Sequence, residues 1–464
     1  MKITHSKQQT YILLVTTLSS FLTPFMGSAV NVALPAIAKD LSMTALSLSW
    51  VATSFILAAT MTLIPLGRLA DIYGRKRFYV YGGLLFTIAS SFCILSTSSF
   101  FLIAARAVQG IGGAMIFSTG TAMLVAAYPF EERGKIIGIN VAAVYIGLTI
   151  GPFVGGLLTQ HLGWKFIFLF TAVLGLIITL IATTAIKEKW SAVNGQGFDV
   201  NGSVLYAIAL FSIIYGLSLL PSLNAMFVIG MGVLCLILFI VHELKSPYPL
   251  VDVHLFLNNR VFAFSNLAAL INYCATFAVT FLLSLYLQHI KMLTPSQTGS
   301  ILVAAPVVQA LISPVAGRLS DRLEPQILSS TGMVLTVIGL VQLIFLGSQT
   351  SIEYIFFCLI LLGIGFALFS SPNVNAIMSA VEKKSFGVAS ATVGTMRLTG
   401  QMFSMGITML VFAVILGDYP ISEANTDLLL KSTKFIFAIL AVICCAGIFA
   451  SLARGKMHNG NNNH

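Results

Sequence analysis

Charge is what this sequence lacks. Asp, Glu, Lys and Arg make up only 9% of its 464 residues, whereas a soluble globular chain carries roughly a quarter, and a water-facing surface cannot be built from so few. Cysteine is sparse too: Cys93, Cys235, Cys274, Cys358, Cys444 and Cys445 all fall in apolar runs. Apart from the adjacent pair, none has a His or Cys at metal-ligand spacing, so they read as packing residues, and no metal site is expected. A Gly-x-x-x-x-Gly-Lys-Ser/Thr phosphate loop is missing, as is a soluble nucleotide domain, which disfavours an ATP-driven pump. No Ser/His/Asp set, carboxylate pair or metal-ligand cluster shares a predicted site, which disfavours an enzyme. No cleavable leader is expected, because the first apolar run, from about Tyr11 to Ala38, is too long for a signal segment and reads as the first span.

What is present is apolar. Residues of that kind make up 57% of the chain, in recurring runs of about twenty, each long enough to cross a hydrocarbon core of roughly 30 Å as a helix. Cutting the chain at its polar breaks predicts fourteen spans, near 11–38, 44–67, 78–97, 100–126, 135–157, 163–186, 201–219, 224–243, 261–288, 297–317, 327–347, 353–374, 387–416 and 432–452. The fold class is therefore an all-α polytopic membrane protein. An even number of spans puts both termini on one side, where the segments hold eighteen Lys and Arg residues. The opposite segments hold five, Lys39, Lys165, Lys291, Lys431 and Lys434. Basic residues accumulate in cytoplasmic loops, so both termini are expected in the cytoplasm of a cell whose inner membrane holds the chain. The net charge of +10 has the same origin and calls for no nucleic-acid partner.

Two basic residues, Arg106 and Arg397, fall inside predicted spans, while all 15 acidic residues fall in loops or at helix ends. An intramembrane charge costs at least about 2.5 kcal/mol and usually faces a bundle interior or a watery cavity. Each Arg is thus a candidate for function or, alternatively, an anchor donating to backbone carbonyls of neighbouring helices.

The chain also repeats itself. After the second span it reads Gly67-Arg68-Leu69-Ala70-Asp71-Ile72-Tyr73-Gly74-Arg75-Lys76-Arg77, and after the tenth Gly317-Arg318-Leu319-Ser320-Asp321-Arg322-Leu323-Glu324-Pro325. Two copies in corresponding short loops imply a duplicated six-helix unit. Glycine permits close helix approach, and Asp followed by Arg or Lys can bond to neighbouring helices in one conformational state, which is the chemistry of a gate. The same residues also serve as a positive-inside topology anchor.

On these residues the chain resembles the major facilitator superfamily along essentially its whole length. The first loop carries Gly67, Asp71, Gly74, Arg75 and Lys76 in the defining places of that family's loop motif, while the second, with Gly317, Arg318 and Asp321, has Glu324 where the second glycine is expected. Arg106-Ala107-Val108-Gln109-Gly110-Ile111-Gly112-Gly113 resembles the family's fourth-helix motif, which implies a coupling role for Arg106. Gly147, Gly151, Pro152, Gly155 and Gly156 resemble its fifth-helix antiporter motif, and they remove side-chain bulk and one backbone donor so that a helix can kink and pack tightly. Asn31-Val32-Ala33-Leu34-Pro35, Phe198-Asp199-Val200-Asn201-Gly202, Arg397-Leu398-Thr399-Gly400-Gln401 and the span count are similar to the fourteen-span drug:proton antiporter branch. That resemblance implies six-helix bundles at 1–190 and 261–464, the latter with a polar tail, joined by two extra helices within 191–260. It also implies alternating access powered by protons, with no bound cofactor. One departure bears on mechanism: where many drug exporters carry an acidic residue in the first helix, this chain has Met26-Gly27-Ser28-Ala29.

A two-bundle transporter holds its substrate near the midplane between the halves. Polar and aromatic residues deep in the spans are therefore candidate substrate ligands: Asn31 and Tyr145 in the first half, and Asn272, Tyr273, Gln309, Asn373, Asn375, Arg397 and Gln401 in the second. Asn and Gln also serve as glue between membrane helices. With two Arg and no embedded acid, such a cavity favours neutral, zwitterionic or anionic amphiphiles over lipophilic cations. The expectation is a monomeric, proton-coupled exporter of amphipathic small molecules in contact with membrane lipids. The alternatives are a lipid or anionic-metabolite transporter, an uncoupled facilitator, or a non-transporting receptor.

Overall fold

The computed structural model describes residues 7–187, 197–320, 322–382, 386–417 and 425–455, and every regular element among them is a helix. In order these are α1 (Lys7–Asp40), α2 (Ala45–Tyr73), α3 (Arg75–Ile94), α4 (Ser99–Ala127), α5 (Phe130–His161), α6 (Lys165–Ala185), α7 (Val200–Ser218) and α8 (Leu223–Glu243). There follow α9 (Val253–Asn258), α10 (Arg260–His289), α11 (Pro295–Leu302), α12 (Ala304–Ser320), α13 (Pro325–Ile344), α14 (Ile352–Ser379), α15 (Phe386–Ile415) and α16 (Thr426–Ala453). Fourteen of the resulting segments are long and apolar enough to cross a membrane, α11 and α12 counting as one. The predicted spans are all there. Several run further than their apolar cores, α1 from Lys7 and α14 to Ser379, because a helix continues through polar residues until something caps or breaks it. The tail from His458 to His464 and Asp321 lie outside the described residues.

The ends of the helices follow from local sequence. On the face opposite the termini, here the far face, helices start on hydroxyl caps. Thr44 accepts from the Ser47 N–H, Ser98 from Phe101, Ser222 from Ala225 and Ser351 from Tyr354, while Thr294 and Gln297 form a reciprocal box. On the termini face the caps are Asp199, Asp252 and Asn259. The tenth span breaks at Val303, between α11 and α12, because Pro306 has no N–H to give to the Leu302 carbonyl.

Packing groups α1 to α6 into one half, with α1 along α5, α4 against α2 and α3, and α6 against α3 and α1. It groups α10 to α16 into the other, with α10 against α15 and α16, and α14 against α12 and α13. The halves meet along α5 and α11, α2 and α15, and α1 and α10. Helix α7 lies on both α2 and α15, one from each half, and α8 packs on its outer side.

Candidate substrate site and gates

Arg397 sits near the middle of α15, half-buried, with its guanidinium 4.9 Å from the centre of the Phe117 ring on α4. Three residues earlier, Gly394 leaves room for that ring, since a Cβ there would lie 3.2 Å from it. Tyr273 of α10 meets Phe366 of α14 edge to face at 5.5 Å and lies within electrostatic reach of Arg397 and of Tyr145 of α5. Gln401 follows Arg397 by one turn and is also half-buried. One cation of the second half thus stacks on a ring of the first with Tyr273 and Tyr145 in its vicinity, and among the described residues no carboxylate pairs with it. A guanidinium stacked on a ring keeps in-plane donors for a carboxylate or carbonyl acceptor.

Other candidates go elsewhere. Arg106, 2% exposed, donates to the Val51 carbonyl of α2 at 3.1 Å and to Gln109 Oε1 at 2.6 Å, lies over the Phe55 ring, and is linked through Gln109 to Ser90 of α3. It stitches three helices of one half together. Asn373 spends its amide on the Ser265 carbonyl, and Asn375 donates to Ser320 at the end of α12. Asn31 and Gln309 are buried on α1 and α12. Asn272 is fully buried, and neither of its amide atoms has a hydrogen-bond partner among the described residues.

The first gate loop is a tight hairpin. Gly74, the only residue between α2 and α3, has φ 113°, a conformation that side chains resist. Asp71 accepts from Arg75 Nε at 2.7 Å, Arg75 reaches the Ala122 carbonyl of α4, and Lys76 donates to the Thr183 and Ile186 carbonyls at the end of α6. A Cβ on Gly67 would lie 3.3 Å from Ser118 Cβ of α4, so the glycine lets the two helices approach closely. The second copy turns differently: Glu324 has φ −53° with Pro325 opening α13, so no glycine is required there. Gly317 packs against Ser371 of α14, and Arg318 is exposed.

The antiporter motif has two faces. Gly147, Gly151 and Gly155 lie against Phe21, Ser28 and Ala29 of α1, inside one half. Gly156 crosses to the other half: a Cβ on it would lie 2.4 Å from the Pro295 carbonyl oxygen of α11, and one on Gly299 would lie 2.1 Å from that of Pro152. Nearby, Gln288 donates to the Val32 carbonyl, the Ser296 N–H to Gln160, and Thr53 to Met409 Sδ. These contacts seal the halves together toward the far face.

Two bundles that meet along shared seams are a transporter's architecture, and comparison with known proteins agrees. The family model described as Major Facilitator Superfamily matches residues 16–246 and 266–462. The chain belongs to that superfamily. Among curated members it is 29% identical over 449 residues to the riboflavin transporter RibZ of Clostridioides difficile (strain 630), covering 96% of this chain and 97% of that protein. It is 29% identical over 414 residues to the multidrug resistance protein Stp of Mycobacterium tuberculosis (strain CDC 1551 / Oshkosh), covering 88% and 76%. A bacterial homologue of the human lysosomal transporter Spinster, in an inward-facing and unoccupied conformation, shares the fold with a TM-score of 0.70 and 16% identity over 96% of this chain and 97% of that one.

Within this superfamily member some groups had no signal in sequence. Phe117 and Phe366 are two of 34 phenylalanines. Arg454 reads as a loop residue, yet it is 1% exposed. It donates to Asn373 Oδ1 at 2.9 Å, Ser265 Oγ at 3.3 Å, and both oxygens of Ser451, binding the termini ends of α10, α14 and α16. Burial brings its pKa down to about 10, which leaves it charged at neutral pH. The expectation that Arg106 and Arg397 are the chain's buried cations is therefore corrected: Arg454 joins Arg106, and Arg397 is half-buried. His/Cys/Asp/Glu groups able to hold a metal are absent among the described residues, and the six cysteines are free.

Proposed function

We propose that this chain exports small amphipathic molecules, aromatic ones of neutral, zwitterionic or negative charge above all, by alternating access in exchange for protons. The observation that carries the substrate class is Arg397 over Phe117, facing Tyr273, with no carboxylate beside it among the described residues. A lipophilic cation gains nothing from that charge, whereas a planar anion gains an ion pair and ring contacts together. The names of two relatives, a riboflavin transporter and a multidrug resistance protein, support organic cargo. The excess of Lys and Arg on the termini face supports a cytoplasmic position for it in the inner membrane, and the antiporter glycines support export. In this reading the chain acts as a monomer.

A second reading, a facilitator or a carrier of lipids or anionic metabolites without a proton step, is favoured by the first helix. Met26 there is fully buried and Ser28 bonds to the Pro24 and Gly147 carbonyls, so no titratable group stands where drug exporters carry an acid. Proteoliposomes of defined orientation separate the two. Under an imposed pH gradient, uphill movement of an aromatic anion with opposed proton flux supports antiport. Downhill movement alone supports the facilitator, and a saturable preference for quaternary ammonium dyes would overturn the substrate class.

A further inference from the structure

Helices α7 and α8 have no part in the transport reading, and their packing is uneven. On one side α7 is gripped by the second half: a Cβ on Gly406 of α15 would lie 2.9 Å from Ile214 Cδ1 and 3.0 Å from Leu217 Cδ1. Helix α8 closes on α7 as tightly, since a Cβ on Gly232 would lie 2.9 Å from the Ile213 nitrogen and 3.1 Å from the Ala209 carbonyl oxygen. Toward the first half the fit is looser. There a groove of about 400 Å³ runs between α2, α7 and α8, with Met61 of α2, Ala207, Phe211 and Tyr215 of α7, and Val228 and Met231 of α8 on its walls. Its lining is almost wholly apolar.

The helices that bear the groove set its depth, because each is long and apolar enough to cross a membrane. Helix α7 climbs from Val200 on the termini face to Ser218 on the far face, and the lining runs from Ala207, near its middle, to Tyr215, about one turn short of its end. That stretch rises about 12 Å, close to the roughly 15 Å that is half of a hydrocarbon core. The groove is therefore nearly as long as one leaflet is deep. At its upper end the Tyr215 ring lies 6.3 Å from the Trp50 ring of α2 and stacks on Phe211 at 5.5 Å. Tyr and Trp collect at the level of lipid headgroups, where their polar tips meet water and ester groups. Near the midplane Met61 and Ala207 form the lower end.

Continuity with the membrane says what fills this space. The groove adjoins the outward wall of α8, where Leu234, Ile237 and Leu238 are exposed and only lipid can cover them. Lipid tails are as apolar as the lining, so a tail that enters gains contact rather than escape from water. An empty groove leaves its walls without dispersion partners on one side, and Met61 and Met231 are flexible enough to close on whatever enters.

We propose that the groove binds one acyl tail of a far-leaflet phospholipid, with the headgroup at the level of Trp50 and Tyr215 and the tail end at Met61. The tail packs α7 and α8 onto the first half. Helix α7 then meets α15 through side chains alone and α2 partly through lipid, so its hold on the two halves differs in kind.

The test is photolabelling of the full protein in nanodiscs by phospholipids that carry a diazirine either at mid-tail or at the tail end, with the labelled sites read by mass spectrometry. It needs no substrate, so its outcome is separate from that of the transport assay. Mid-tail label should concentrate on Phe211 and Met231, and tail-end label on Met61 and Ala207, severalfold above Ile237 and Leu238 on the outward wall of α8. Ala207→Phe fills the lower end and Val228→Trp narrows the upper end. Each should abolish the excess in the groove and leave Ile237 unchanged, and either one decides the matter if the other folds poorly. Label spread evenly over groove and outward wall would mean ordinary annular lipid and would overturn the proposal. So would tail-end label at Tyr215, which would bring the tail from the opposite leaflet, or variants that label like the parent.

Discussion

Replacing Gly156 with alanine tests the seal between the halves. The added Cβ would lie 2.4 Å from the Pro295 carbonyl oxygen, about 1 Å inside ordinary contact, and its neighbour is backbone at the start of α11, so it cannot rotate away. Overpacking of this kind costs about 1–3 kcal/mol. That cost falls only on the arrangement in which α5 and α11 touch, because Gly156 faces the other half. At roughly tenfold per 1.4 kcal/mol, a penalty of about 2 kcal/mol lowers the sealed population roughly thirtyfold relative to any arrangement with the far face parted. The assay is labelling of Gln401→Cys, one turn from Arg397 and on the termini side of the seal, by a membrane-impermeant maleimide from the far face, with native cysteines replaced. Labelling should rise steeply and turnover should fall. Gly155→Ala provides the contrast: its Cβ would meet Ala29 of the same half at 2.7 Å, so it should lower stability without raising labelling. Gly138→Ala, with nothing within 4 Å, should be silent. Equal labelling in parent and Gly156→Ala would refute the reasoning, since the backbone contact would then not hold the halves together.

Three further substitutions probe separate parts. Asp71→Asn removes the ion pair to Arg75 at the hairpin. A partly exposed pair one helical turn apart is worth about 1 kcal/mol or less to folding, so the protein should fold and bind normally while turnover slows, as measured by exchange kinetics. Arg397→Ala should weaken binding of an aromatic carboxylate by about tenfold or more, with Arg397→Lys recovering part of it; unchanged affinity by calorimetry would make Arg397 structural. Arg454→Ala strands Asn373 Oδ1 in a buried place, while Ser451 Oγ keeps its bond from Ser330, and should cost about 1–3 kcal/mol, seen as a lower Tm with substrate affinity intact.

Arg106 and Arg397 show how far sequence reaches into such a protein and where it stops. Scarcity of charge makes the spans readable, because the bilayer demands about twenty apolar residues whatever their tertiary neighbours are. Gate glycines are readable for a local reason as well: Gly74 needs positive φ in a hairpin of one residue. The second loop lost its glycine because Pro325 starts the next helix from a conformation any residue can adopt. Nothing local separates the two arginines. Both are single cations in apolar helices, yet Arg106 is met by the Val51 carbonyl and Gln109 of its own half, and Arg397 by an aromatic ring of the other half. Arg454 reverses the error, since a residue one step past the end of α16 is a loop cation by sequence and a buried one only because Ser265 and Asn373 come from helices far away in the chain. The rule that emerges is energetic. A polar group in the membrane whose partners are all supplied by its own half holds that half rigid, and one left short of partners at the boundary between halves is where a solute or a proton can supply what is missing. By that rule Arg397, half-buried where α15 meets α4 of the other half, is the place where a bound species would change the balance between conformations.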